Sequence, residues 1–330
     1  MKESIKNKCE LLVENKNVIE KNFIFSDRLM IISAALVFSM ADRPVDMEKL
    51  KECKNILKKN AGVFSGLRSH GETVLVSKMA LSDNPEKYLL DVKEAYAKIG
   101  KGKFADSGYV VQAATSICDV NRQEDLDSIN TKFRELYKKM EKKHPFLTAD
   151  EDLVSAVLLA MTEKSVDQII DDMEVCFDYL KKEMKIPFGA NEVQGLCEIL
   201  ALTDGDMKEK CDKTIKFYQT FKEHGKRYGV ENSELAVMGT LIDIDEDPDA
   251  LVDEIIETAE YLGTHKGFGA FSLDKKQRLM FATILVSEAY SNDSLNGNAA
   301  INSSIAAVIA EEMAVMMYSI MCYNVSTIST

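Results

Sequence analysis

Asp243, Asp245, Asp247, Asp249 and Glu254 fall at positions 1, 3, 5, 7 and 12 of a calcium-loop spacing. Carboxylates so placed can surround a hard cation. The sixth position of such a loop turns sharply and takes glycine, whereas this chain has Pro248 there, whose ring holds φ negative. The stretch therefore reads as a polar link, with Asp247 capping a helix and Pro248 as its first residue.

A second group gathers at the starts of short apolar helices: Arg68, His70, Asp150, Asp152, Asn191, Gln194, Asn232, Glu234, Lys275, Gln277 and Arg278. Helix N-termini attract anions. In LDKKQRLM, Lys275, Lys276 and Arg278 stand where the helix dipole disfavours cations, and a choice that opposes local propensity points to a ligand or an acidic partner. Arg68, His70, Asp150, Asp152, Lys275, Gln277 and Arg278 are the binding candidates. The competing reading is that they are solvated or paired with a neighbouring element. In an enzyme, Asp150 and Asp152 with Glu234 opposite could do general acid–base work.

Other signals are weaker. His70, His144, His224 and His265 lie in or beside links, and none stands at metal-ligand spacing from another His or a Cys. GKGKFA from Gly100 loosely fits a dinucleotide loop but follows a helix, not the strand that loop requires. Asp171 and Asp172 resemble half of a magnesium-diphosphate motif, but Val175 stands where the next carboxylate belongs, so solvated acids are the simpler reading. No phosphate loop, nucleophile elbow or H-E-x-x-H occurs. No catalytic residue, metal or cofactor is assigned.

The elements that must position these groups repeat. Phe25, Phe64, Phe104, Phe146, Phe188, Tyr228 and Phe268 recur at intervals of 39, 40, 42, 42, 40 and 40 residues, each before a short apolar helix. Packing in a core or turn is the default for these rings. Each unit opens on a turn with N-cap types (Asp27, Ser107, Asp150, Asn191, Ser233, Asp274). A first helix, such as DLVSAVLLAM, is apolar nearly all round, and a helix apolar on every side is buried on every side. A polar link follows, with Pro44, Pro85 and Pro248 in matching places and Ser165 and Gln168 at capping-box spacing. The second helix is longer and amphipathic. In one such helix Ile129, Phe133, Leu136, Tyr137 and Met140 form a single stripe, and lysines fill its last turns.

The reading is an all-α chain of tandem helical hairpins of about 40 residues. It is an α/α superhelix or the same array closed as a ring. Residues 1–290 hold an N-terminal helix, six hairpins and a seventh first helix over about 274–290. Residues 291–330 hold the Asn/Ser-rich link SNDSLNGNAAINSS and an apolar helix that packs on the array or on a second copy, making a homodimer.

The totals agree. Of 330 residues, 46% are hydrophobic and 29% charged, so a core needs no staples. The net charge of −13 disfavours nucleic acid, despite a basic run from Lys51 to Lys59. Cys9, Cys53, Cys118, Cys176, Cys197, Cys211 and Cys322 are odd in number, without C-x-x-C, and suit a reducing cytosol. The N-terminal stretch alternates charge too densely for a signal peptide. The apolar run 299–323 carries Glu311 and Glu312 at its centre, which disfavours a membrane span. A cytoplasmic location is expected.

The segments HPFLTADEDLVSAVLLAM (144–161) and KGFGAFSLDKKQRLMFATILV (266–286) resemble those of a bacterial family described only as domain of unknown function 4003. The likeness covers about residues 5–290. It implies an intracellular bacterial protein and carries no activity, cofactor or site residues.

Two functions follow from the residues. Stacked hairpins make long surfaces for a protein or peptide, so a non-catalytic binding or scaffold protein is the first. An α/α-ring enzyme or small-molecule-binding protein, with its site at the helix starts, is the alternative. Zero Trp weighs against carbohydrate chemistry.

Overall fold

Apolar runs of eight to thirteen residues, each broken by a capping residue and followed by a charged amphipathic run, leave this chain little choice but helix. The computed structural model describes residues 1–23, 26–62, 65–69, 71–105, 107–184, 189–225, 234–270 and 272–293. Among them are fourteen α-helices and no strand. After α1 (Glu3–Glu20), an apolar helix and an amphipathic one alternate. The pairs are α2 (Arg28–Met40) with α3 (Met47–Asn60), α4 (Glu72–Leu81) with α5 (Pro85–Ile99), and α6 (Val110–Asp119) with α7 (Leu126–Lys143). Then come α8 (Leu153–Ala160) with α9 (Val166–Met184) and α10 (Ala190–Ala201) with α11 (Met207–Glu223). The short α12 (Glu234–Val237) continues as a 3-10 segment, Met238–Leu241, before α13 (Pro248–Gly263) and α14 (Lys275–Asp293).

The described residues form two compact units, Asn7–Gln123 and Met1–Lys6 with the chain from Glu124 onward. In the first, α2 packs on α4, α3 on both α4 and α5, and α5 on α6. In the second, the apolar helices stack in series, α8 on α10, α10 on α12 and α12 on α14. The amphipathic ones do the same, α7 on α9, α9 on α11 and α11 on α13. Every residue of α8 is buried, as its composition demands. In α7 the buried side chains are Leu126, Ile129, Phe133, Leu136, Tyr137 and Met140, the stripe read from the sequence plus one residue.

Local chemistry sets the helix ends. Asp27 accepts from the Leu29 N–H and Asp247 from that of Ala250, with Pro248 as first residue of α13. Pro85 likewise opens α5, behind Asn84. Pro44 does not share this place, because Asp46 caps α3 and the helix begins at Met47. Ser107 accepts from Tyr109 and Ser165 from Gln168, but Asp150 and Asn191 do not cap. α10 starts at Ala190, ahead of Asn191, and the carboxylate that turns back in the 3-10 turn before α8 is that of Asp152.

The C-terminal ends of several apolar helices are closed by lysines from elsewhere in the same unit. Lys8 reaches Ser39 O at the end of α2, and Lys49 reaches Ser82 O at the end of α4. Lys132 Nζ lies 2.6 Å from Thr162 O, just past α8. Lys164 and Lys210 share the carbonyls ending α10: Lys164 bonds Ala201 O and Thr203 O, and Lys210 bonds Leu200 O and Thr203 O. Lys213 holds Ile242 O and Ile244 O, both at 2.6 Å. The last carbonyls of a helix lack partners within it and form its negative end, so an ammonium group meets both needs.

The recurring aromatics divide. Phe104 and Phe268 are buried, as expected, but Phe146 is 97% exposed. The link folds back through Leu147 and Thr148 N–H groups onto His144 O, and His144 takes the inner position, its ring 4.7 Å from that of Phe177. Phe25, Phe64, Phe188, Tyr228, Ser233 and the terminal segment 299–323 lie outside the described residues. No helix among the described residues is long and apolar enough to cross a membrane.

Candidate functional site

Of the candidates read from the sequence, the structure joins Asp152 to Gln194. Asp152 ends the 3-10 turn Asp150–Asp152 and leads into α8, and its Oδ2 accepts the Ala149 N–H at 2.8 Å. Gln194 lies on the second turn of α10, which packs on α8. Its amide nitrogen reaches Glu198 Oε1 at 3.2 Å, Thr148 Oγ1 at 3.4 Å and Asp152 Oδ2 at 3.5 Å. Tyr137 on α7 donates its hydroxyl to Ala149 O at 2.6 Å and so fixes the turn from below.

Asp152, Gln194 and Glu198 are all buried. Water withdrawn from a carboxylate disfavours its charge. Burial is the main cause that pushes the Asp152 carboxyl up to about 7, and the charge of Glu151 adds to it. The Ala149 N–H works in the opposite sense. The Tyr137 hydroxyl is pushed up in turn, first by burial and then by Asp152. Gln194 Oε1 is buried with no hydrogen-bond partner among the described residues. The arrangement holds a carboxyl able to keep or release a proton near neutrality, beside an amide oxygen with an open acceptor site.

Glu198 and Tyr137 were not among the residues singled out by sequence. A signal for Glu198 was present: in EVQGLCEILAL it stands four residues after Gln194, so the two polar groups share one face of an apolar helix. Nothing in the sequence marked Tyr137, which lies on an ordinary core stripe.

The other candidates are dispersed. Asp150 is exposed. Arg68 belongs to the Asn7–Gln123 unit, where its Nε lies 3.5 Å from Glu72 Oε2. His70 and Asn232 lie outside the described residues, Asn191 sits in the first turn of α10, and Glu234 opens α12. Lys275 is the exposed first residue of α14. Gln277 and Asp274 form a reciprocal cap: the Asp274 N–H donates to Gln277 Oε1, and the Gln277 N–H to Asp274 Oδ1. Arg278 turns inward and donates through Nη1 to Leu273 O at 2.8 Å and Phe268 O at 3.2 Å. The cations at this helix start are thus accompanied by a cap and by loop carbonyls that need donors.

The remaining motifs take structural places. Glu254, twelfth in the calcium-like spacing, accepts from the Lys2 N–H and the Tyr290 hydroxyl, both at 2.6 Å. Asp172 pairs with the buried Lys164 at 2.9 Å. Among the described residues no group of three or more His, Cys, Asp or Glu side chains is placed to hold a metal ion.

The described architecture is that of an all-α protein in which apolar and amphipathic helices alternate along the chain. The chain belongs to the family described as "Protein of unknown function (DUF4003)", whose model matches residues 15–314. It is also similar to the uncharacterized protein YeaA of Bacillus subtilis (strain 168), 24% identical over 185 residues. That match covers 54% of this chain and 54% of the relative, so the chain spans about half the length of the curated protein it matches. No solved structure matches.

Proposed function

We propose that this chain is a cytoplasmic bacterial helical-repeat protein that binds another protein and catalyses no reaction of its own. The observation that carries the reading is Phe146. It projects from the His144–Ala149 link with 97% of its surface in water, while Phe104 and Phe268, at the same place in the spacing, are buried. A large aromatic offered to solvent on a rigid scaffold is the kind of side chain that anchors protein interfaces. The serial stacking of helices supports it, because such stacks present extended surfaces. So do the inward turn of Arg278 and the capping role of Gln277, which leave those side chains occupied in holding the fold.

The test is co-purification of wild-type protein and Phe146→Ser from the native host, with thermal stability measured alongside. Removing a ring this exposed should change stability by less than about 0.5 kcal/mol. The wild type should retain a partner that the variant loses. Identical partners on both, or none on either, would refute the reading.

The Asp152–Gln194–Glu198 cluster favours a second reading, a small-molecule site at the start of α8. Its open acceptor, Gln194 Oε1, calls for a ligand with a donor group such as an amine or hydroxyl. Such a ligand should raise the melting temperature of the wild type and leave that of Gln194→Leu unmoved.

A further inference from the structure

Phe146 has charged company. The link that carries it leaves the C-terminal end of α7, and His144 ties that end to α9. His144 Nε2 lies 2.7 Å from Glu174 Oε1, and its ring stands 4.7 Å from that of Phe177. Lys143 Nζ lies 3.7 Å from Glu174 Oε2, and Lys181 Nζ sits 5.2 Å from the centre of the Phe177 ring. The last turns of α7 and α9 therefore meet at one place, and they bring Lys142, Lys143, Lys181 and Lys182 there, all exposed. The first turns of the same two helices carry Asp127 and Asp167, so acid and base are sorted to opposite ends. Val175, which follows Glu174, is a second large hydrophobic side chain left exposed in this neighbourhood.

We propose that this end of α7 and α9 is a docking surface for an acidic segment of a partner protein, whose apolar side chain covers Phe146 while its carboxylates meet the four lysines. The inference rests on the reading of Phe146 as a protein-binding residue and adds the chemistry of the partner. Charge carries it. Among the described residues two carboxylates stand in ion-pair reach of these lysines. Glu174 is shared between Lys143 and His144, and Glu183 lies beside Lys182. Lys142 has no ion-pair partner among the described residues. Asp150, the nearest acid to Phe146 in sequence, is itself exposed.

The helix dipole accounts for lysine in a last turn, but it gives no reason for a phenylalanine in water beside four of them. An exposed ring rimmed by cations is the arrangement in which a covered anchor supplies affinity and the rim supplies steering and selectivity. The rest of the molecule narrows the choice of partner. With a net charge of −13, the chain as a whole repels a long phosphate polymer or an anionic bilayer. A short acidic segment meets the lysines of this end alone and escapes most of that repulsion, because charges beyond about 10 Å are screened at ordinary salt.

The experiment measures fluorescence anisotropy of two short fluorescein-labelled peptides added to the full chain, one of glutamates around a central Leu-Phe pair and one of glutamates alone. The first should bind, and raising salt from about 50 to about 500 mM should weaken it at least about tenfold. The double variant Lys142→Glu with Lys181→Glu should weaken both peptides at least about tenfold, and Asp150→Lys should tighten both. Phe146→Ser should weaken the first peptide about fivefold or more and leave the second unchanged. These exposed substitutions should melt with the wild type; if the double variant does not, Lys142→Ala with Lys181→Ala replaces it. No binding of the Leu-Phe peptide, or binding that the lysine variants leave unchanged, would overturn the inference. So would tighter binding to a duplex DNA oligonucleotide or to vesicles of phosphatidylcholine with phosphatidylglycerol, which would assign the surface to phosphate. A native partner lost with Phe146→Ser but kept by the lysine variants would sink this inference and leave the reading of Phe146 standing. Peptide binding that Phe146→Ser does not change would sink both.

Discussion

Asp152 shows how a short turn can change the character of one carboxyl. Its ordinary value in an unfolded chain is about 3.9, and burial raises it to about 7 in the folded state. Between those values the folded protein binds the proton and the unfolded chain does not, so stability must fall as pH rises from about 4 to about 7. We expect denaturant midpoints to decline across that window by the equivalent of roughly 2–4 kcal/mol and to level off above it. Asp152→Asn keeps an oxygen for the Ala149 N–H and removes the charge, so its midpoints should lose most of that slope; an unchanged slope would show that another group titrates. Arg278 carries a second prediction. Removing its guanidinium leaves Phe268 O and Leu273 O without their donor, so Arg278→Ala should cost about 1–3 kcal/mol in thermal or chemical unfolding. Gly263 shares this site, because a Cβ there would stand 3.2 Å from Arg278 Nε. Part of the residue scale was legible in sequence: Asp152, Gln194 and Arg278 were marked by polar types at helix starts. What they touch was legible only in part: Glu198 stands one turn after Gln194 on α10 and Leu273 five residues before Arg278, but the approach of Asp152 to Gln194 arises only once α8 and α10 are packed.

At the scale of the element, lysines on one helix close the ends of another. Lys213 is the plainest case, with two carbonyls at 2.6 Å and an ammonium whose charge burial disfavours. Lys213→Met keeps the apolar stem and drops the donor, and it should destabilise by about 1–3 kcal/mol in equilibrium unfolding. Lys213→Arg, which retains donors, should recover part of that loss. The same unit holds a close helix approach just after α12. Gly239 lies in the 3-10 segment that follows, and a Cβ there would come within 2.7 Å of Ile199 Cγ2 on α10. Ile199 must turn off its rotamer or α10 must shift to relieve that clash, so Gly239→Ala should destabilise by about 1–3 kcal/mol despite its better helix propensity. The sequence LAVMGTLI gave no warning of this approach, because it belongs to the neighbouring helix.

For the molecule as a whole, the helices described account for more than half of the chain. Far-ultraviolet circular dichroism should therefore show the paired helical minima, and a single sheet-like minimum would contradict the fold. A net charge of −13 sets what the surface attracts. At physiological salt the protein should leave the mobility of duplex DNA unchanged up to micromolar concentration, because its 41 Lys and Arg are outnumbered by 54 Asp and Glu and the net field repels phosphate. A salt-sensitive shift would reveal a basic surface that the totals conceal.

The sequence by itself determined the helical class, the alternation of apolar and amphipathic helices and several of their caps, including Asp247 with Pro248. These depend on periodicity, on propensity and on hydrogen bonds that reach two or three residues, all of which lie within a short window of chain. The tertiary structure alone decided that His144 rather than Phe146 turns inward and that Asp152 holds its proton near neutrality. Desolvation and the meeting of distant side chains arise only when helices pack, and no local pattern encodes which face will meet which.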